Sequence, residues 1–220
     1  MAATTLELQR LYLAYFSRPA DPDGLANWMQ KTAADTSLLG VAQAFGKSLE
    51  YTDRFKGLQL GDLIDKLYVN LFARHAESSG IDYWADALAR KAITFEGVAM
   101  AISTGAQGSD LQILNRKLAL AQEFTALIDT PIERVGYSGY KAAFEASYFV
   151  STVTDEASLA RARIALPEFI SRLGYVVDPF SVDGNGAVVQ GGAGDVAADG
   201  AAALTLVGMA APVADVFGLS

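Results

Sequence analysis

Apolar residues recur three or four positions apart along most of the chain, which is the spacing of one face of an α-helix. Turn-forming residues break this pattern at several points, for example Asp21-Pro22-Asp23-Gly24 and Thr130-Pro131. Residues 133–139 are predicted to form a loop, and Pro167 is predicted to kink the last helix. The predicted helices cover residues 4–17, 22–33, 37–47, about 80–90, 94–103, 109–128, 139–151 and 154–172, with an apolar stripe from Leu60 to Phe72 and a short turn or helix at 50–58.

The stretch from Leu11 to Trp28 returns at Leu67 to Trp84, at a fixed offset of 56 residues. Each occurrence predicts a helix, a tight loop and a second helix, so the pair is a repeated structural unit. A glycine near the start of the second helix can adopt unusual backbone angles, and a tryptophan four residues later can anchor that helix against the first. We expect both tryptophans to be buried. The residues assigned a structural role are Arg18, Gly24 and Trp28 in the first unit and Arg74, Gly80 and Trp84 in the second.

These elements predict a mainly α-helical protein with two regions. Residues 1–172 are expected to form a helical bundle, built from copy 1 (about 8–58), copy 2 (about 60–128) and a closing helical hairpin at 139–172. The composition changes after Arg172, because residues 173–220 contain five Asp but no Lys, Arg, Glu or His. This acidic C-terminal tail, rich in Gly and Ala, is a poor packed core by itself, although its Val and Leu residues favour short strands.

The pattern R-x-x-D-x-x-G-L-x-x-W stands complete at residues 18–28. Ser48-Leu49-Glu50-Tyr51 comes after it in copy 1, and copy 2 continues with related residues at 97–102, 105–110 and 115–125. Over about residues 8–128 the chain resembles a domain of unknown function that is repeated in bacterial surface-layer proteins and type I-secreted RTX proteins. That domain is distantly similar to phycobilisome linker domains. The resemblance implies a helical module and says almost nothing about activity, because the family has no catalytic motif to transfer.

Charge and composition exclude several classes of function. A formal net charge of −8 argues against nucleic-acid binding, which needs a basic surface, and is compatible with calcium that bridges the protein to an anionic cell-surface glycan. No apolar run reaches the roughly 18 residues of a membrane span, so no membrane span is expected. The chain contains no cysteine, which excludes disulfides and thiolate metal sites and is common among type I-secreted proteins.

The two ends of the sequence bear on the expected localisation. Residues 1–7 lack the basic and apolar regions of a usual cleavable export signal. Residues 215–220 place an aspartate before apolar residues, and they resemble the uncleaved C-terminal signal of type I secretion substrates. We therefore expect an extracellular protein at the cell surface, exported by type I secretion machinery.

Two acidic stretches are candidate calcium sites, and calcium is the leading candidate cofactor. Asp21 and Asp23 lie two residues apart, although carboxylates at this place can also cap a helix and pair with Arg18. In the tail, residues 191–195 resemble the start of an RTX calcium-binding nonapeptide, without a second copy to stack beneath it. Calcium that neutralises the tail carboxylates would reduce the repulsion between neighbouring molecules. The tail carboxylates in question are Asp183, Asp195 and Asp199.

The remaining candidate chemistry consists of one histidine and one aromatic stripe. His75 lies in the copy 2 loop, where a solvent-exposed residue is the plain interpretation and a haem ligand is the sharper alternative. Acidic pairs on helical faces, such as Asp62 with Asp65, have the pattern of solvated charges, and the sequence contains no phosphate-binding or nucleophile-elbow motif. Five aromatic residues at helical spacing favour core packing over a partner surface. These are Tyr137, Tyr140, Phe144, Tyr148 and Phe149.

Together these features predict a secreted protein without enzymatic activity that self-assembles at the cell surface as a layer, a fibre or a biofilm matrix component. One alternative is a secreted binder of a small ligand, such as a hemophore. A second alternative is a cytoplasmic scaffold similar to the phycobilisome linkers.

Overall fold

The computed structural model describes residues 2–173, and within this range the protein is mainly α-helical, with eleven α-helices, one 3-10 turn and no strand. Copy 1 forms the first four helices and copy 2 the next four, with the 3-10 turn before α7. The tail, with its predicted strands and carboxylates, lies outside the described residues from position 174 onwards. The helices are α1 (Thr5–Phe16), α2 (Pro22–Ala34), α3 (Leu38–Lys47), α4 (Leu49–Phe55), α5 (Leu60–Phe72), α6 (Ser78–Ala89), α7 (Val98–Thr104), α8 (Gly108–Leu127), α9 (Pro131–Tyr137), α10 (Tyr140–Ser151) and α11 (Glu156–Leu173), and the 3-10 turn is Phe95–Gly97.

Helix α1 lies at the centre of the bundle, and its second half is enclosed on all sides. Every residue from Leu11 to Phe16 is buried, and so is the polar Gln9. Helices α2, α3 and α4 of copy 1 pack against α1, and so do α5, α7 and α8 of copy 2. An enclosed stretch of helix has no solvent face to carry polar residues, which is why Leu11 to Phe16 is a continuous run of apolar and aromatic residues.

Phe45 of α3 is the centre of the aromatic core of copy 1. The rings of Tyr12, Tyr15 and Phe16 lie with their centroids 4.9, 5.8 and 4.6 Å from the Phe45 ring. Trp28 of α2 meets the same ring edge to face at 5.5 Å. These contacts bury large aromatic surfaces in preferred geometries, so they fix α2 and α3 against α1.

Side chains cap the starts of several helices. Thr4 and Glu7 form a reciprocal capping box at the start of α1. The carboxylate of Asp21 accepts a hydrogen bond from the Gly24 amide at 2.6 Å and so caps α2. Helix α6 differs, because it begins at Ser78 and its N-cap residue, Glu77, makes no side-chain hydrogen bond to its first amides.

The main error in the predicted elements concerns residues 133–139. Instead of a loop, the chain forms α9, which begins at Pro131 and is capped by a reciprocal pair between Thr130 and Glu133. Proline at the first position of a helix costs no hydrogen bond, so the Thr-Pro pair starts a new helix as well as ending α8. Helix α9 packs against α11, which in turn lies along α8.

Helices α10 and α11 occupy the segments predicted for the closing hairpin. Asp155 and Ser158 exchange hydrogen bonds at the start of α11. Pro167 lies inside α11. Among residues 2–173, no helix combines the length and the apolar character that a membrane crossing requires.

Candidate functional site

Arg18 is a buried cation at the junction of α1 and α2. It comes directly after Ser17, whose left-handed backbone ends α1, and its side chain is 5% exposed. Its Nε and Nη2 donate to the two carboxylate oxygens of Glu50 at 2.8 and 2.9 Å. Its Nη1 donates to the Pro19 carbonyl at 3.2 Å and lies 3.8 Å from the Asp21 carboxylate. Burial opposes the charge, but Glu50, Tyr137 and Asp21 together outweigh it and hold the pKa of Arg18 above its usual range.

Arg74 repeats this arrangement in copy 2. It comes directly after Ala73, whose backbone is also left-handed, and it donates to the two carboxylate oxygens of Asp110 at 2.8 and 2.7 Å. Its Nη1 donates to the carbonyl of the next residue, His75, at 3.0 Å, as Arg18 does in copy 1. The difference is exposure, because the Arg74 side chain is 40% exposed. We call these two arrangements the arginine clamps.

The acidic partners in the arginine clamps are the residues that sequence reasoning missed. The expected pairing of Arg18 with Asp21 exists, but the closer partner is Glu50, 32 residues away. The partner of Arg74 lies 36 residues away. Both carboxylates stand in the first turn of a helix, where the helix dipole favours negative charge. The available signal was an acidic residue at the start of the short turn or helix predicted at 50–58 and another at the start of the helix predicted at 109–128.

A tyrosine and a glycine complete each arginine clamp. The guanidinium carbon of Arg18 lies 5.5 Å from the centroid of the Tyr12 ring, and that of Arg74 lies 5.1 Å from the Tyr68 ring. At Gly24 a Cβ atom would overlap the Tyr12 hydroxyl, so the close approach of this ring requires glycine. At Gly80 a Cβ atom would be in ordinary contact with the Tyr68 hydroxyl, at 3.5 Å. Neither glycine has a positive φ, so the expected backbone role is wrong and close packing replaces it for Gly24.

The two tryptophans are not equivalent. Trp28 is buried as predicted, and its indole N–H has no hydrogen-bond partner among residues 2–173. Trp84 is only partly buried, and its Nε1 donates to the Tyr68 hydroxyl at 3.0 Å. Tyr83, which is exposed, lies edge to face against Trp84 at 4.9 Å. The prediction of burial therefore holds for copy 1 and is wrong for copy 2.

The loops after the arginines are held by residues that again correspond at the repeat offset. In copy 1 the Gln9 Oε1 accepts a hydrogen bond from the Ala20 amide at 3.0 Å. In copy 2 the Asp65 Oδ1 accepts one from the Ala76 amide at 2.8 Å. The Gln9 amide group also donates to the Thr125 hydroxyl at 2.6 Å, which ties the copy 1 loop to α8.

Copy 1 is covered where copy 2 is open. Thr125 of α8 and Tyr137 of α9 donate hydrogen bonds of 2.6 and 2.7 Å to two carbonyls of the copy 1 loop. Residues 17–20 of that loop are all buried, whereas residues 73–76 are exposed or half-buried. The second loop thus presents its polar groups to solvent.

The calcium interpretation of Asp21 and Asp23 does not fit their contacts. Asp21 caps α2 and lies near Arg18, and Asp23 pairs with Arg134 of α9. Asp21 and Asp23 therefore serve in helix capping and ion pairing, which is the other interpretation of this loop. Within residues 2–173 no cluster of three or more metal-binding side chains is present. The other candidates, Asp183, Asp195 and Asp199, lie outside the described residues.

His75 is a surface residue, as the plain interpretation of the sequence has it. Its side chain is 83% exposed, and its Nδ1 lies 2.8 Å from the Asp65 Oδ2. The hydrogen bond to His75 and that from the Ala76 amide hold the pKa of Asp65 below its usual range. An imidazole this open has no enclosing apolar walls of the kind that haem pockets provide.

Lys117 is a buried cation that sequence reasoning also missed. It lies on the buried face of α8, and its Nζ donates to the Asn70 carbonyl of α5 at 2.5 Å. Burial lowers the pKa of Lys117 to about 8. Its position between Leu114 and Ala121 on one apolar stripe was the signal for burial.

Helix α10 carries an aromatic row on its outer side. Tyr140, Phe144 and Tyr148 are 85, 62 and 70% exposed, whereas Tyr137 is buried. The expectation that this stripe packs in the core is therefore wrong for three of its five members. The alternative that was considered, a partner surface, agrees with their exposure.

Comparison with known families gives one match. Residues 42–108, from α3 to the first residue of α8, match the model described as "Domain of unknown function (DUF4214)". Neither the curated proteins nor the solved structures gave a significant match. The matched segment contains the arginine, glycine and tryptophan of copy 2 and the Glu50 that clamps copy 1. Residues 42–108 of this chain are a DUF4214 domain.

Proposed function

We propose that this protein is a non-enzymatic, secreted cell-surface or matrix protein that assembles with copies of itself, with calcium as a bridging ion. The observation that carries the proposal is the difference between the two loops. One copy of the repeated unit is closed by α8 and α9, while the equivalent loop of the other copy stays open. Repeat proteins stabilise such units by stacking a neighbour against each open end.

Carboxylates lie beside the open loop, and the segment that we assign as its partner is acidic as well. Asp65 and Glu77 flank the copy 2 loop, and the tail of a neighbouring molecule brings Asp183, Asp195 and Asp199. Carboxylates on both sides repel each other unless a divalent cation lies between them, and calcium prefers such oxygen ligands. The same chemistry would let calcium link the assembly to an anionic cell-surface glycan.

Analytical ultracentrifugation of the full-length protein, with calcium and with chelator, tests the self-association. We expect larger species with calcium and monomer with chelator. Glu77→Lys should associate in chelator as well, because a lysine replaces the bridging cation. Asp53→Lys, which reverses an exposed charge on α4, is the control and should behave as wild type. Monomer under every condition would overturn the proposal, and a Soret band after addition of haem would then support the hemophore alternative.

Export through a type I channel is tested separately in cells. The acidic, cation-free composition of residues 174–220 supports a role of this segment in export. Deletion of residues 174–220 should retain the protein inside the cell, while Asp53→Lys should be exported normally. Normal export of the deletion variant would contradict the type I route.

A further inference from the structure

The aromatic row of α10 borders an open groove. Phe149 of α10 and Phe169 of α11 stack with centroids 4.6 Å apart at its base. The groove has a volume of about 440 Å³ and is lined mainly by apolar side chains. Its other lining residues are Phe144, Glu145, Tyr148, Arg172 and Leu173. Tyr140 lies one turn before Phe144 on α10. The groove and this tyrosine together make a surface that is unusually apolar for the outside of a protein.

The chain itself leads into this groove. Leu173 ends α11 and lines the groove, and the sequence continues with Gly174-Tyr175-Val176-Val177-Asp178-Pro179-Phe180-Ser181-Val182. We propose that residues 175–182 of the same chain dock on the groove and on the aromatic row of α10. This inference is independent of the proposed function, since it concerns only the first part of the tail.

The chemistry of residues 175–182 fits the groove. Five of the eight residues are apolar or aromatic, and Asp178 is the only charged one. Arg172 at the groove can pair with that aspartate. Pro179 favours an extended conformation of the residue before it, which keeps the segment able to run along a helix surface.

Length and tethering favour the chain's own segment over a second copy. The aromatic row covers two helical turns, roughly 12 Å, whereas eight extended residues reach roughly 26 Å. A segment attached directly at the groove has an effective concentration in the millimolar range. The segment of another molecule, present at micromolar concentration, competes poorly with it.

Disulfide trapping tests the docking directly, because the chain has no native cysteine. Glu145→Cys lies at the groove and Ser181→Cys lies in the segment, and the pair should form an intramolecular disulfide under mild oxidation. Asp82→Cys on α6 combined with Ser181→Cys is the matched control and should form it much more slowly. Equal rates for the two pairs, or disulfide-linked dimers as the main product, would overturn the proposal.

Hydrogen exchange of the full-length chain gives an independent measurement. Amides of residues 175–182 should exchange more slowly than in an unstructured peptide, by about tenfold. The double variant Phe144→Ser/Tyr148→Ser should remove this protection, while Ile164→Ser, at an apolar residue of α11 that is even more exposed, should retain it. Exchange of these amides at the unprotected rate in the wild type would contradict the proposal.

Discussion

Copy 1 and copy 2 hold the same arginine clamp in two different surroundings. In each, an arginine comes after a left-handed residue, binds both oxygens of a carboxylate, lies on a tyrosine ring and donates to the next carbonyl. In copy 1 the clamp is buried under α8 and α9, and in copy 2 it is at the surface. The repeated motif therefore specifies the local geometry of the loop and does not specify its burial.

Burial is decided by the length of the helix that closes each copy. Helix α4 has 7 residues, whereas α8, at the equivalent place in copy 2, has 20. The extra turns carry Thr125 to the copy 1 loop, and α9 then adds Tyr137. One long helix thus makes copy 1 the interior half of the molecule and leaves copy 2 outside.

The largest expected effect is on the arginines. Arg18→Ala should lower the free energy of unfolding by about 3–5 kcal/mol, because it leaves the Glu50 carboxylate without its partner in a mostly buried place. Arg74→Ala should cost less, about 1 kcal/mol, because the Arg74 side chain is 40% exposed and solvent weakens its attraction to Asp110, although Asp110 itself is only 15% exposed. Urea denaturation followed by circular dichroism measures both values. Arg90→Ala removes an ion pair between two well-exposed side chains and serves as the control. An equal decrease in the free energy of unfolding for Arg18→Ala and Arg74→Ala would show that burial does not distinguish the two arginine clamps.

The contrast between local geometry and burial also separates the features that were predictable from the sequence from those that were not. The repeat, its loops and most helix positions were accessible, because helical periodicity and capping residues are local signals. The Arg18–Glu50 pair and the enclosure of the copy 1 loop were not, because they join elements far apart in the chain. The exposure of Tyr140 was missed for a related reason, since periodicity identifies a helical face without showing whether another element covers it.

A matched pair of glycine substitutions comes next in size. Gly24→Ala should destabilise the protein by about 1–3 kcal/mol, because the added Cβ collides with the Tyr12 hydroxyl in the packed interior. Gly80→Ala should be neutral or should stabilise by about 0.5–1 kcal/mol, because alanine favours the helix and the site has room. Thermal and urea unfolding measure both. A destabilising Gly80→Ala would mean that the packing of copy 2 is as tight as that of copy 1.

The buried cations Arg18 and Lys117 differ in the groups that accept their hydrogen bonds, and this difference predicts that stability depends on pH. Arg18 has a carboxylate, whereas within the described range 2–173 the acceptor of Lys117 is the Asn70 carbonyl alone. Because the pKa of Lys117 is lowered to about 8 in the folded state, the unfolded chain binds more protons between pH 8 and about 10.4. Its contribution to stability therefore increases as pH rises through that window.

Lys117→Met tests this effect. At pH 7 it should raise the free energy of unfolding by about 2 kcal/mol, since the relief from burying an ammonium exceeds the loss of one hydrogen bond. The gain should shrink towards pH 10.5, where the wild-type lysine is neutral in both states. Urea denaturation of both proteins at several pH values gives the profile, and a gain that does not change with pH would contradict the assignment.

The smallest expected effect concerns the residues that hold the two loops. Asp65 occupies the place of Gln9, and its carboxylate binds the Ala76 amide and lies against His75. The pKa of Asp65 is lowered in the folded state, so its stabilising contribution is present above its unfolded pKa of about 3.9 and is lost as pH falls through the lower folded value.

Asp65→Gln gives copy 2 the residue of copy 1. It should cost about 0.5–1 kcal/mol at pH 7, because a neutral acceptor forms weaker hydrogen bonds, and nothing once the wild-type carboxyl is protonated. Asp82→Asn, which removes an exposed carboxylate of α6, is the control. Its free energy of unfolding should match that of the wild type both at pH 7 and at low pH. If Asp65→Gln costs as much at low pH as at pH 7, the copy 2 loop is held by shape alone, and the acidic residue adds no charge-dependent stability to it.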